Sequence, residues 1–225
     1  MSARRPLAVA HRGDPWAGVE NTLDAVRRAT GAGVSAIEVD LRRTADGFVV
    51  LHHDDDLRRL WRRPEAVANL TLAELRALAP AVPTLEEALD VTDGIPLLLD
   101  TGDPAVAAAA HAELGRLGAV AMFCGAAQAM AAVRERDEQI TLFLSWYGDR
   151  PPPENVLAAV RPQYFNPEHR FLSAESVAHW HARNVLVSCW TVDDADRRAE
   201  LLGWGVDAII SNDVNGVVKS CGERA

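Results

Sequence analysis

The chain has 225 residues, 48% of them hydrophobic, enough to bury a sizeable core in one (β/α) barrel. Its formal net charge of −9 argues against a phosphate-backbone binder, which needs clustered Lys and Arg, so nucleic acid is not an expected partner. No window approaches the ~18 uninterrupted apolar residues of a transmembrane helix, and the three cysteines, Cys124, Cys189 and Cys221, lack the CxxC spacing of a zinc site or disulfide framework, which fits a soluble protein of the reducing cytoplasm.

Taken in order, an apolar run at residues 7–10 predicts a strand that ends abruptly in His11, Arg12 and Gly13. A helix follows over 22–30 and a second strand over 36–40, "AIEVD". Glu38 and Asp40 stand two apart on that strand and so share one face. Two such carboxylates repel unless a cation compensates, and oxygen donors point to one hard divalent ion, Mg²⁺ or Ca²⁺. The alternative is a solvated edge, or pairing with Arg42 and Arg43. Asp-Gly at residues 46–47, between two extended runs, signals a hairpin. A two-residue loop would put Asp40 opposite His53, and a bulge would shift that register by one.

His11 and His53 are the acid/base candidates, since an imidazole near its ordinary value can take a proton and return it. His52 alternates away and reads as structural, as do His111, His169, His179 and His181 on helices or loops. A helix over 84–91 precedes a strand over 95–100 that ends in Asp100, a candidate third oxygen ligand. Arg12 suits a phosphate oxygen, with an ion pair to Glu20 or Glu38 as its rival.

Further strands are predicted over 119–123, 140–145, 163–165, 185–190 and 207–211, and helices over 104–117, 126–136, 173–183 and 195–204. The prolines at 151–153 open a loop and a helix start. Trp190 ends a strand and reads equally as a substrate-pocket wall or as core. Eight strands alternating with helices predict a closed (β/α)8 TIM barrel, one domain spanning 1–225, with a short hairpin after the second strand. No helix reads as a dedicated interface, so a monomer or weak homo-oligomer is expected.

The ordered motifs "HRG" (11–13), "ENT" (20–22), "IEVD" (37–40) and "DGFVVLHHDDDLRR" (46–59), with "VPTLEEAL" and the C-terminal "VSCWTVDD", carry a family resemblance. Over nearly its whole length the sequence resembles the glycerophosphodiester phosphodiesterase family. The resemblance implies a barrel enzyme that hydrolyses glycerophosphodiesters to glycerol 3-phosphate and an alcohol. It implies His11 and His53 as the acid/base pair, a divalent cation, Ca²⁺ or Mg²⁺, on Glu38, Asp40 and a later carboxylate, and Arg12 on the phosphate.

Two departures stand out. Where the family has Glu-x-Lys, this chain has Asp100 and Gly102, and the segment between His53 and "VPTLEEAL", the family insertion, is short. The first keeps open a catalytically impaired barrel that binds phosphate or metal. The second keeps open a lysophospholipase D-like activity on a larger lipid phosphodiester.

Overall fold

The structure, a computed structural model, describes residues 5–222, so the ends of the expected 1–225 domain, 1–4 and 223–225, lie outside the described residues. The described residues form nine strands: β1 Leu7–Ala10, β2 Ala36–Arg43, β3 Val49–Leu51, β4 Leu97–Asp100, β5 Met122–Gly125, β6 Leu142–Trp146, β7 Tyr164–Pro167, β8 Leu186–Cys189 and β9 Ala208–Ser211. Eight of them pair in parallel in the order β1-β9-β8-β7-β6-β5-β4-β2, and β1 pairs back onto β2. That closure makes a (β/α)8 barrel, as the alternation predicts. The ninth, β3, lies outside it, antiparallel to β2.

Among the described residues ten helices surround the strands: α1 Leu23–Gly31, α2 Arg58–Trp61, α3 Leu72–Leu78, α4 Leu85–Leu89, α5 Pro104–Leu117, α6 Ala127–Arg134, α7 Glu154–Val160, α8 Ala174–Ala182, α9 Ala195–Trp204 and α10 Val214–Gly222. Many start where the sequence offers a cap. Thr22, Asp103 and Asp194 accept backbone N–H groups, and Thr71, Thr84 and Ser173 form reciprocal capping boxes. Each such cap is worth about 1 kcal/mol. Among the described residues no helix is long and apolar enough to cross a membrane.

Strand alternation sends one set of side chains into the barrel and the other under the helices. The barrel interior holds Val9, Ala36, Leu98, Cys124, Phe143, Tyr164, Ala208 and Ile210. Phe143 and Tyr164 stack with ring centroids 3.9 Å apart, a contact worth about 0.5–1.5 kcal/mol beyond the area it buries.

Three sequence expectations need correction. The hairpin pairs Leu41 with Leu51, so Asp40 stands opposite His52, whose N–H donates to the Asp40 carbonyl at 2.9 Å. The loop is one residue longer than Asp-Gly alone: Thr44 N–H donates to the Phe48 carbonyl, and Gly47, at φ +97°, turns the chain. Second, the strand predicted over 119–123 begins at Met122 and runs on to Gly125, with Val120 86% exposed in the preceding loop. Third, β2 continues past Asp40 to Arg43, because β3 gives its backbone a ladder partner.

The short segment after His53 is structured. It carries α2, a 3-10 turn at Val67–Asn69 and α3 over a small core of Leu57, Val67, Leu70, Leu75 and Val82 against Val50.

Candidate active site

The first strand ends in a tight turn. Arg12 at φ +56° and Gly13 at φ +82° reverse the chain, and a Cβ on Gly13 would lie 2.7 Å from the Ala25 carbonyl carbon. Glycine is therefore the residue that lets α1 approach β1. The reversal brings "ENT" over the strand ends, and each residue of that motif has a task. Glu20 accepts Arg12 Nη1 at 2.8 Å and Arg59 Nη2 at 2.6 Å. Asn21, 2% exposed, donates from Nδ2 to Asp40 Oδ2 at 2.7 Å and accepts the Asp40 N–H at 3.0 Å. Thr22 caps α1.

All seven residues singled out from the sequence, His11, Arg12, Glu38, Asp40, His53, Asp100 and Trp190, line one cavity. It opens at the C-terminal ends of the barrel strands, the face where barrels of this kind carry their chemistry. Glu38 and Asp40 are 3% and 6% exposed, and Asp40 is in register with Asp100. The alternative pairing with Arg42 and Arg43 does not occur. Arg42 donates to the His53 and Asp54 carbonyls, and Arg43 reaches toward the Gly47 carbonyl.

Arg12 sits among acids. Its backbone N–H donates to Glu38 Oε2 at 2.9 Å, and its Nε lies 3.1 Å from Asp40 Oδ2. The ion-pair rival to a phosphate contact is thus present, with Glu20 and Asp40 as the partners. Three carboxylates in one cavity nevertheless exceed what one arginine offsets. Burial, and then the neighbouring Asp40 charge, push Asp100 up to about 7. Burial followed by the charges of Asp40 and Asp100 also raise Glu38 well above the carboxylate range.

The two histidines differ in their settings. His11 Nδ1 is 2.8 Å from Asn212 Oδ1, and Asn212 Nδ2 donates to Asp193 Oδ2 at 2.7 Å. With the amide nitrogen so occupied, Asn212 presents its oxygen, and His11 must carry its proton on Nδ1. Nε2 is then an acceptor, and Arg12 Nε donates to it at 3.2 Å. Burial, and then the Arg12 charge, hold His11 below the usual imidazole value.

His53 is half-exposed, with Nδ1 2.6 Å from Asp54 Oδ1. Against the upward pull of partial burial, hydrogen bonds from Arg59 and then His53 bring Asp54 down to about 2. His52 is buried, with Nε2 3.0 Å from the Asp56 carbonyl, which is a structural role. His111 and His181 lie beside Asp137 and Asp207, away from the cavity.

Trp190 is both wall and packing. It lines the cavity, packs on the barrel interior, donates Nε1–H to the Asn166 carbonyl at 3.0 Å and meets Tyr147 edge-on at 5.2 Å. Cys124, Ser145, Tyr147 and Asn166 also line the cavity; the sequence offers Cys124 only as a cysteine without metal-site spacing and gives no signal for the other three. Gly102 is exposed, and a Cβ there would meet Ala126 Cβ at 3.9 Å and nothing nearer. A longer side chain would fit.

The sequence profile of the glycerophosphoryl diester phosphodiesterase family matches residues 11–215. The chain belongs to that family. By class it is a phosphoric diester hydrolase. This family member is 27% identical to a glycerophosphodiester phosphodiesterase of Arabidopsis thaliana over 92% of its own length and 71% of that protein's. It is 23% identical to a glycerophosphodiester phosphodiesterase of Caldanaerobacter subterraneus subsp. tengcongensis, over 93% of this chain and 95% of the other. Among solved structures, a phosphodiesterase of Oleispira antarctica in complex with the product sn-glycerol-3-phosphate superposes with a TM-score of 0.89, 22% identity and 97% coverage of both chains. A glycerophosphodiester phosphodiesterase of Thermotoga maritima gives 0.83 and 22%, covering 95% of this chain and 97% of the other.

Proposed function

We propose that this family member hydrolyses glycerophosphodiesters to glycerol 3-phosphate and an alcohol, with His11 and His53 as proton carriers and a divalent cation as cofactor. One observation carries the reading. Two histidines from different strand ends converge with Arg12 on a cavity whose three carboxylates lack sufficient cationic partners. An anionic phosphodiester does not enter such a cavity unless that negative charge is offset. The glycerol 3-phosphate held by the Oleispira antarctica protein supports the choice of product.

The donor set fits a divalent ion. One ligand atom each from Glu38, Asp100 and Cys124 lies within 4.8 Å of the other two, a spacing that one ion can bridge. When bound there, a divalent cation supplies positive charge against the non-bridging phosphate oxygens. Asp40 would add an oxygen donor through Oδ1, while its Oδ2 fixes Arg12.

His11, held below the usual imidazole value and with Nε2 as its acceptor, shared in this structure with Arg12 Nε, removes the proton from the nucleophile, either water or the glycerol hydroxyl, in the latter case with water then opening the cyclic ester. Asn212 and Asp193 hold the ring in that tautomer. His53, its Nδ1–H directed at the ionised Asp54, enters the step as imidazolium and gives its Nε2 proton to the leaving oxygen, and exchange with solvent returns the proton that His11 gained. Arg12 aligns the phosphate.

Replacing either histidine by Ala should cost about 10² to 10⁴ in kcat. Steady-state hydrolysis of glycerophosphocholine checks this, and near-normal turnover in both variants would falsify the assignment.

A further inference from the structure

We propose that Cys124 is a metal ligand, and that it turns the cation site of this chain from a hard oxygen site into a mixed oxygen–sulfur site selective for borderline ions of the Zn²⁺ and Co²⁺ class over Mg²⁺ and Ca²⁺. The proposal deepens the reading above, since it rests on a divalent cation being held in this cavity.

Cys124 is 2% exposed and stands in register with Asp100 across β4 and β5. Its side chain points into the barrel, among Leu98 and Phe143. Its Sγ lies within 4.8 Å of a carboxylate oxygen of Asp100 and of Glu38, and so is aimed at the candidate ligands. Gly125 keeps it there. At φ +137°, a Cβ on Gly125 would lie 2.0 Å from the Thr101 carbonyl oxygen, so β4 and β5 meet too closely for any other residue.

Ligand atoms of Glu38, Asp100 and Cys124 lie within 4.8 Å of one another, and since Asn21 Nδ2 and Arg12 Nε both engage Asp40 Oδ2, the other oxygen of Asp40 is the one that could join them. Zinc bonds of about 2.0–2.3 Å to oxygen and sulfur require neighbouring donors about 3.3–3.8 Å apart, which a small contraction of this group reaches. The other two cysteines are different in kind. Cys189 and Cys221 are packed with Phe165, Val177 and Leu201 in an apolar cluster on the helix side.

Hard ions bind the carboxylates and leave the thiol protonated. A borderline ion favours the thiolate. On its binding the S–H bond breaks, the proton passes to solvent, a sulfur–metal bond forms, and no electron changes hands.

The test uses the full chain, stripped of metal and titrated with Co²⁺ while absorption is recorded and bound metal is counted by equilibrium dialysis. The expected result is a sulfur-to-cobalt charge-transfer band in the near ultraviolet at one ion per chain. Cys124→Ser should lose that band and weaken Zn²⁺ and Co²⁺ by about tenfold or more, with Mg²⁺ and Ca²⁺ affinity undiminished. Cd²⁺ absorption of the unaltered chain gives a second readout that needs no variant. No Co²⁺ binding, binding without the band in the unaltered chain, or an equal band in folded Cys124→Ser overturns the proposal. The two readings fail separately. The band without hydrolysis of any glycerophosphodiester would overturn the function and leave this site standing. Metal-dependent hydrolysis without the band would do the reverse.

Discussion

Asn212 fixes the tautomer of His11 and, in the proposed mechanism, the nitrogen that meets the substrate. Because its Nδ2 is committed to Asp193, its oxygen takes the Nδ1 proton of the imidazole, and a neutral amide adds no charge to favour imidazolium. Asn212→Asp would place a carboxylate 2.8 Å from that ring. His11 should then hold its proton more tightly, and the acidic limb of the kcat/KM profile should move to higher pH by about 1–2 units. A pH–rate profile checks this, and an unmoved limb would mean that His11 is not the proton acceptor. The sequence alone brings His11, Arg12 and Asp40 to notice because each stands at the end of an apolar run, and Glu38 because it shares a strand face with Asp40. Asn212 also follows an apolar run, but it lies 201 residues from His11, and its role exists only through the closing contact between β9 and β1. Cys124 escaped for a different reason. With β5 expected to stop at Phe123, the cysteine falls in a loop, whereas two further residues of strand put it opposite Asp100.

The four-residue helix α2 matters at the scale of elements because it carries Arg59 from the insertion to the site. Arg59 donates to Asp54 Oδ2 at 2.7 Å and to both oxygens of Glu20. Through it the partner of Arg12 and the partner of His53 are tied into one network, Arg12–Glu20–Arg59–Asp54–His53. Arg59→Ala should lower kcat about 10- to 100-fold by loosening His53 and Arg12 together, with a smaller change in unfolding free energy because the arginine is half-exposed. Kinetics alongside urea unfolding separate the two effects, and unchanged kcat would show that the network is ornamental. The alternating apolar runs made the eight barrel strands legible. The hairpin register was legible to within one residue, and the Thr44–Phe48 backbone bond that adds a residue to the loop is what moved it. The short helices α2 and α3 were not read, since their apolar residues bury against the outer strand β3 and make no long periodic face.

At the scale of the whole molecule, a chain with net charge −9 gathers three carboxylates in one cavity at the mouth of its barrel. Asp100, raised to about 7 by burial and Asp40, binds a proton in the folded chain between pH 4 and 7, where the unfolded chain does not. Its contribution to stability without cation is therefore fully present below about pH 4 and is lost as pH rises through about 7. A bound cation does the work of that proton. The increase in Tm on adding a divalent ion to the stripped protein should be larger at pH 8 than at pH 5, which differential scanning calorimetry reads directly. An increase independent of pH would place the cation elsewhere.

The most direct measurement is release of glycerol 3-phosphate from glycerophosphocholine and related diesters by the purified full chain, first with EDTA and then with Zn²⁺, Co²⁺, Mn²⁺, Mg²⁺ or Ca²⁺ in turn. The expected result is turnover that EDTA abolishes, that a divalent ion restores and that His11→Ala and His53→Ala each reduce by about 10² or more. Absence of glycerol 3-phosphate with every ion, from a folded chain that binds metal, would contradict the proposed activity.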